Sequence, residues 1–377
     1  MTTSRDPLHT LVVYGPLNPP TLIDHLRTFF PVVHHFPVPN PFAPADQIKD
    51  SELPTADALS EADAIFSFTV PGNLKSAEQV PRLKLFQGLS AGYGHISDTE
   101  FVKSLTDEKI TFANASGIHV STIGEHVLGT VLMLYHKLHT IAVMLHNEQR
   151  WVSHIELGGN YIRELNTLKV GIIGYGHIGR ETARLFHSCG STILALTRSG
   201  LPSPIGGFLL PHTGDPAGVL PEQYYSSASR ESTLAFFADC DVVVNTLPDS
   251  EATRGFVGEE ELKAMKGDGV YVNIGRGTTT DQEALVKALQ AKPAEGEEED
   301  ATGSLRIGGA SLDVTQPEPL PTGHPLYTLP NVVLTPHMSG QSKKYFENAA
   351  KVLEVNVERM RAGRGALNAW RGKGEEQ

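Results

Sequence analysis

The stretch Val170-Gly-Ile-Ile-Gly174-Tyr-Gly176-His-Ile-Gly179-Arg-Glu-Thr-Ala183 decides the fold. An apolar run leads straight into glycines spaced G-x-G-x-x-G, and a helical pattern of Ile178, Thr182, Leu185 and Phe186 follows. In such a strand–turn–helix unit the first glycine permits a tight turn. The second lets backbone N–H groups approach a pyrophosphate, and the third lets helix and strand pack closely. The helix N-terminus adds partial positive charge to face the phosphates. Glycine is abundant, 36 of 377 residues, so the spacing alone is weak and the flanking strand and helix carry the signal. Gly174, Gly176, Ile178 and Gly179 are therefore expected at a dinucleotide, with His177 touching a phosphate or packing beside it.

Outward from this unit, strands and helices alternate. Apolar runs at 168–173, 192–196, 241–246, 269–274, 307–313 and 331–335 make six strands, the number in a doubly wound dinucleotide domain. Upstream, runs at 10–14, 64–68, 83–87 and 110–113, with helical stretches at 20–30 and 98–105, predict a second parallel sheet covered on both faces. Residues 121–149 read as one uninterrupted amphipathic helix, with Val127, Leu128, Val131, Leu132, Leu134, Tyr135 and Leu138 at helical spacing. A last helix is expected over 341–362, ending at Gly363.

Two segments break the rhythm. Residues 199–230 are rich in Gly, Pro, Ser and Thr and are far longer than an ordinary connection. Residues 292–304 hold Glu295, Glu297, Glu298, Glu299 and Asp300, an acidic run expected to be a solvated loop.

Lys and Arg total 31 against 43 Asp and Glu, a net charge of -12 with His neutral. So acidic a surface repels phosphate backbones and anionic lipid headgroups, which speaks against nucleic-acid binding and membrane docking by a basic patch. Cys189 and Cys240 are too few for a disulfide framework or a thiolate metal site, and they suit a reducing compartment. The opening Met1-Thr-Thr-Ser-Arg-Asp-Pro7 has no apolar run, so no signal peptide is expected. The end, Gly374-Glu-Glu-Gln377, carries no peroxisomal or prenylation tail. Residues 126–145 are the most apolar long stretch, but His136, Lys137 and His139 interrupt them, which predicts a buried helix rather than a membrane span. A cytoplasmic protein is expected, with no metal.

The end of the second cofactor-domain strand bears on cofactor choice. NAD sites place Asp or Glu there to accept the ribose hydroxyls. This chain has Thr197-Arg198-Ser199 instead, so no carboxylate repels a 2'-phosphate and all three side chains can donate to one. A charge-assisted hydrogen bond contributes about 1.5–3 kcal/mol, or roughly ten to a hundredfold in favour of NADPH, with NADH still possible.

Three later strand ends carry polar groups suited to hydride chemistry: Val272-Asn-Ile-Gly275-Arg276-Gly277, Asp313-Val-Thr-Gln-Pro-Glu318-Pro319, and Leu334-Thr-Pro336-His337-Met-Ser339-Gly340. Ligands of open α/β sheets sit at the carboxyl ends of strands, where these groups should meet.

Together these motifs resemble the D-isomer-specific 2-hydroxyacid dehydrogenase family, from the Gly-rich loop near residue 90 to the final helix. Order and spacing agree: R-G, then D-V-x-x-x-E-P, then T-P-H. The resemblance implies a catalytic set of Arg276, Glu318 and His337. On that reading His337 protonates a carbonyl oxygen as hydride arrives, with Glu318 favouring its imidazolium form. Arg276 would hold the substrate carboxylate and polarise the carbonyl with a geometry that Lys cannot copy. Asp313 would hold the nicotinamide amide or a local backbone group. The Thr-Arg-Ser strand end is similar to that of NADPH-preferring glyoxylate/hydroxypyruvate reductases. The implied fold is α/β, with two doubly wound parallel-sheet domains and a cleft between. A Rossmann-type cofactor domain would span 119–341, and a discontinuous flavodoxin-like substrate domain 1–118 and 342–377. Leu247, Pro248, Ile274, Asp313 and Gly340 join the expected cofactor contacts. The loop Leu89-Ser90-Ala91-Gly92 would bind the substrate carboxylate through backbone N–H groups, approaching Arg276 and His337 when the cleft closes. Tyr93, Leu89 and Val70 are candidates for the side-chain pocket. A homodimer built on the cofactor domains, with residues 121–149 contributing, is also implied. Gly94 departs from the Asp that many members carry.

Two other classes stay open from the residues alone. Gly88-Leu-Ser90-Ala-Gly92 matches the G-x-S-x-G nucleophile elbow of hydrolases, with Asp313 and His337 following in hydrolase order. The family fold also includes dinucleotide-sensing corepressors that keep cofactor and catalytic residues.

Overall fold

The computed structural model describes residues 8–17, 19–40, 43, 47–159, 161–293, 298 and 300–372. The two chain ends, 1–7 and 373–377, and Glu295, Glu297 and Glu299 of the acidic run lie outside the described residues. The chain divides into two compact units. One comprises residues up to Ile118, Gly206–Leu210 and the chain from Ser342, and the other comprises His119–Ile205 and Pro211–Gln341.

The first unit is built on five parallel strands: β1 (Thr10–Tyr14), β2 (Val32–Phe36), β3 (Ala64–Ser67), β4 (Leu85–Gly88) and β5 (Thr111–Ala113). Their order is β2-β1-β3-β4-β5, with Ala369–Arg371 added antiparallel at the β5 edge. This is the flavodoxin-like doubly wound order. Val12, Ile65, Phe86 and Phe112 form its core with Leu59 and Phe101 from flanking helices. Strand β2, Val-Val-His-His-Phe, was not expected, because its two histidines at a half-buried edge break the apolar pattern. The last helix spans Tyr345–Arg361 rather than 341–362. The Ser342 hydroxyl accepts the Lys344 N–H and turns the chain before the helix begins. Gly206–Leu210 joins this unit from inside the stretch expected as cofactor domain, and the Phe208 N–H donates to Asn368 Oδ1 at 3.0 Å.

The second unit holds seven parallel strands: β6 (Lys169–Ile173), β7 (Thr192–Thr197), β8 (Gln223–Ser226), β9 (Val242–Asn245), β10 (Val270–Asn273), β11 (Gly309–Leu312) and β12 (Val332–Leu334). Their order is β12-β11-β10-β9-β6-β7-β8. The winding reverses between β6 and β9, and such a switch point opens a crevice at the strand ends. On one face of the sheet Ile123, Val127 and Val131 pack with Ala183 and Phe186. On the other, Phe236, Phe237, Leu262 and Leu285 cover it.

Two expectations need correction here. Six strands become seven, because the 199–230 segment contains β8. Only Tyr225 of Gln-Tyr-Tyr-Ser is fully buried, so no apolar run announced this edge strand. The single helix over 121–149 is two, Val120–Tyr135 and Leu138–Glu148, bent by 63°. Lys137 takes a left-handed φ of 52° between them. Its Nζ donates to the Leu157 carbonyl and lies 4.2 Å over the Tyr161 ring. The second helix buries no residue, so the stretch is not buried throughout. Among the described residues no single helix is long and apolar enough to cross a membrane.

Candidate active site

The glycine loop behaves as its spacing requires. Gly174 has φ +83°, and a Cβ there would meet Thr246 Oγ1 at 3.0 Å and Leu247 Cδ2 at 3.4 Å, across the switch point. A Cβ on Gly179 would lie 2.5 Å from the Gly174 carbonyl oxygen and 2.7 Å from Ile172 Cγ2, so helix and strand can approach only without a side chain. At Gly176 a Cβ would meet nothing within 4 Å: the space above this residue is open. Gly176 precedes the helix His177–Ser188, whose N-terminus carries partial positive charge. This cradle suits a pyrophosphate. His177 and Ile178 are half-buried beside it.

At the end of β7, Arg198 is exposed. The Thr197 and Ser199 hydroxyls accept the N–H groups of Gly200 and Leu201, and the Arg198 carbonyl accepts the Ser226 hydroxyl of β8. The missed strand therefore fixes the turn carrying all three residues. Leu247 and Pro248 follow β9, where the Leu247 N–H donates to Asn245 Oδ1.

Beyond β10, buried Asn273 shapes the turn. Its Oδ1 accepts the Gly275 N–H and its Nδ2 donates to the Arg276 carbonyl. Ile274 is buried, whereas the Arg276 side chain is exposed and donates to the Gly275 carbonyl at 2.7 Å. A Cβ on Gly277 would fall 2.0 Å from the Thr315 carbonyl oxygen, so this loop and the one after β11 pack backbone to backbone.

The loops after β11 and β12 form one hydrogen-bonded unit. Asp313 is 2% exposed, and its carboxylate accepts the Thr335 hydroxyl, the Met338 N–H and both the hydroxyl and N–H of Ser339. Burial raises its carboxyl, yet the donors from Ser339, Thr335 and Met338 outweigh this and hold it below its ordinary value. The Asp313 carbonyl accepts the His337 N–H at 2.9 Å. His337 adopts a φ of 50°, and its Nδ1 lies 2.6 Å from Glu318 Oε1, both side chains about half exposed. A cavity of about 660 Å³ touches Glu318 and His337 and runs beside Met133, His139, Leu326 and Tyr327, and neither Arg276 nor the glycine cradle lines it. That volume is in the range of small-molecule sites.

The structure thus unites Asp313, Glu318 and His337, but Asp313 serves backbone and hydroxyl groups while Glu318 faces the imidazole. The hydrolase reading, which placed Asp313 behind His337, loses its acid. Ser90 Oγ donates to the Gly92 carbonyl at 2.8 Å within its own turn. In the first unit Ala91 and Gly92 are exposed, whereas Leu89 is fully enclosed and its N–H donates to the Ser67 carbonyl. Tyr93 stacks on Trp370, with ring centroids 4.8 Å apart.

Sequence reasoning missed several supports. Gln282 makes two hydrogen bonds to the backbone of Gln316, through Nε2 at 2.8 Å and Oε1 at 2.9 Å, two residues before Glu318. His126 Nε2 lies 3.3 Å from the Thr335 hydroxyl, and His119 Nδ1 lies 3.2 Å from the Gly340 carbonyl. Burial keeps His119 below its ordinary range, partly offset by that carbonyl. Neither Gln282 nor the histidines sit in a recognisable motif, and no local signal in the sequence marks them: His119 caps a helix, His126 lies two turns into it, and Gln282 begins another.

A family model described as D-isomer specific 2-hydroxyacid dehydrogenase, NAD binding domain, matches residues 128–210 and 217–339. The chain is 26% identical over 304 residues to glyoxylate/hydroxypyruvate reductase B of Klebsiella pneumoniae (strain 342), covering 80% of this chain and 82% of that protein. Its structure is similar to that of a D-isomer specific 2-hydroxyacid dehydrogenase from Xanthobacter autotrophicus Py2 in complex with NADPH and MES. The TM-score is 0.67 at 22% identity, over 95% of this chain and 97% of that one. The NAD-complexed form of a D-isomer specific 2-hydroxyacid dehydrogenase from Lactobacillus delbrueckii ssp. bulgaricus is similar with a TM-score of 0.67 at 20% identity, over 94% and 97%. These two solved structures share the fold. The family match covers more than half of the chain and includes the glycine cradle and the β10, β11 and β12 loops; the chain belongs to the D-isomer specific 2-hydroxyacid dehydrogenase family and is an NAD(P)-dependent oxidoreductase.

Proposed function

We propose that the chain reduces a small 2-oxoacid, of the glyoxylate or hydroxypyruvate kind, to the D-2-hydroxyacid, with NADPH preferred over NADH. The observation that carries this is the 2.6 Å pair of His337 Nδ1 and Glu318 Oε1, on loops that follow strands of the same parallel sheet as the glycine cradle and Arg276. Glu318 orients the ring and leaves Nε2 to deliver a proton to the carbonyl oxygen. Arg276 holds the substrate carboxylate and polarises the carbonyl. The Gly174–Gly179 cradle and the Thr197-Arg198-Ser199 turn would hold the dinucleotide, which supplies the hydride when bound. Asp313 keeps the His337 turn in place.

A homodimer formed through the second unit accords with the apolar side chains left exposed there, Leu138, Val143, Trp151 and Ile155. A cytoplasmic setting accords with the free, exposed thiol of Cys189.

The test is a panel of 2-oxoacids assayed with NADPH and NADH. Glyoxylate or hydroxypyruvate should oxidise NADPH fastest, and Arg198→Ala should weaken NADPH about ten to a hundredfold, the worth of a charge-assisted hydrogen bond, with little effect on NADH. Equal losses for both cofactors would remove Arg198 from the 2'-phosphate site.

A further inference from the structure

The connection from β7 to β8 contains no helix, although a parallel crossover usually needs one. It is nevertheless anchored at a specific place. Asp215, 5% exposed, accepts the Tyr175 hydroxyl at 2.9 Å, the Leu220 N–H at 2.9 Å and the Gly218 N–H at 3.1 Å. Arg180, 3% exposed, spans the junction. Its Nη1 donates to the Asp215 carbonyl at 2.6 Å, its Nη2 to the Ser203 carbonyl at 2.7 Å and its Nε to the Tyr175 carbonyl at 2.9 Å. The guanidinium also lies 4.9 Å over the Tyr175 ring. One residue on from Arg180, Glu181 Oε2 accepts the Gly214 N–H at 2.6 Å.

Tyr175 is the residue between Gly174 and Gly176, and Arg180 follows Gly179. The connection therefore holds the phosphate cradle at Tyr175, between its first two glycines, and at Arg180, just after its third. Residues 211–216, which include Asp215, are the part of this connection that the family match leaves out.

We infer that the connection is a working part of the dinucleotide site, with Asp215 a positioning residue that holds the cradle in its binding shape through Tyr175 and Arg180. A cradle of backbone N–H groups binds anions only while successive peptides keep their directions, and glycines alone leave those directions loose. The buried Tyr–Asp–Arg cluster supplies the stiffness that the glycines lack. This rests on the proposed role of 174–179 as the pyrophosphate site.

The experiment compares wild type with Tyr175→Phe, which removes one hydroxyl, and Asp215→Asn. Direct titration should show Kd rising about tenfold, the effect of one net hydrogen bond, equally for NADPH and NADH. An unchanged ratio separates this effect from loss of Arg198. Hydrogen exchange of the 175–180 amides in the dinucleotide-free protein should quicken in both variants, which stays readable even if the assigned substrate or cofactor preference fails. Unchanged Kd for both dinucleotides together with unchanged exchange, even alongside a lowered Tm, would overturn the inference and leave the cluster a fold support only.

Discussion

Two loops at the carboxyl ends of the second sheet are built on opposite principles. The Gly174–Gly179 turn works by lacking side chains: Cβ atoms at two of its glycines would strike neighbouring backbone or side chains, and the third leaves open space. The loop from Thr335 to Gly340 works by its side chains and their partners, with Asp313, Glu318, His119 and His126 all reaching one short segment. The first must bring backbone dipoles close to a diffuse anion, so it needs room and direction. The second must hold one proton at one place, so it needs a fixed ring. Binding and chemistry should therefore separate cleanly under mutation.

The largest separation is expected at His337. His337→Ala should lower turnover by roughly 10²- to 10⁴-fold, the usual contribution of a positioned acid, while dinucleotide Kd stays within about twofold. Stopped-flow turnover and fluorescence titration on the same sample check both halves. Near-normal turnover would take the proton donor away from this loop.

The converse variant is Gly179→Ala. Its Cβ would meet the Gly174 carbonyl oxygen at 2.5 Å, and an overpacked contact of this kind costs about 1–3 kcal/mol. Since the obstacle is the cradle's own backbone, Kd should rise and Tm fall together. Gly176→Ala sharpens the point: its Cβ meets no atom, so Tm should hold while Kd rises, because the methyl enters the phosphate's space. Parallel falls in Tm for both variants would mean the two glycines share one structural role.

How far these loops were legible from residues alone follows from the same contrast. The glycine spacing, R-G and T-P-H are local signals, and residues that must sit at a strand end lie within a few positions of one another. The supports are not local. Asp313 finds its donors 22 to 26 residues later, and Asp215 finds Tyr175 40 residues earlier. No periodicity reports such pairs. Strand β8 was hidden because an edge strand buries so little, and the break at Lys137 because its reason, the Leu157 carbonyl, lies 20 residues downstream. Patterns of burial read the frame well, whereas hydrogen-bonded polar groups inside it become visible only once the chain has closed.

The smallest expected effect concerns the acid side of stability, and it isolates the second loop without any dinucleotide. Asp313 titrates below its ordinary 3.8 in the folded protein, so the unfolded chain takes up its proton first as pH falls. Its stabilisation is therefore complete above about pH 4 and disappears as pH drops through the lower, folded value. Asp313→Asn turns an amide N–H₂ toward donors that need an acceptor and should cost about 2 kcal/mol at pH 7, the penalty of a broken buried charged network. The gap from wild type should close as pH falls below 4. His119, held low by burial, also destabilises the fold as it takes up a proton below its ordinary 6.5, but it is present in both proteins and cancels in the difference. Urea melts from pH 7 to 3 read this directly. A gap that stayed constant to pH 3 would mean that the charge on Asp313 contributes nothing, and that the loop is held by its neutral hydrogen bonds alone.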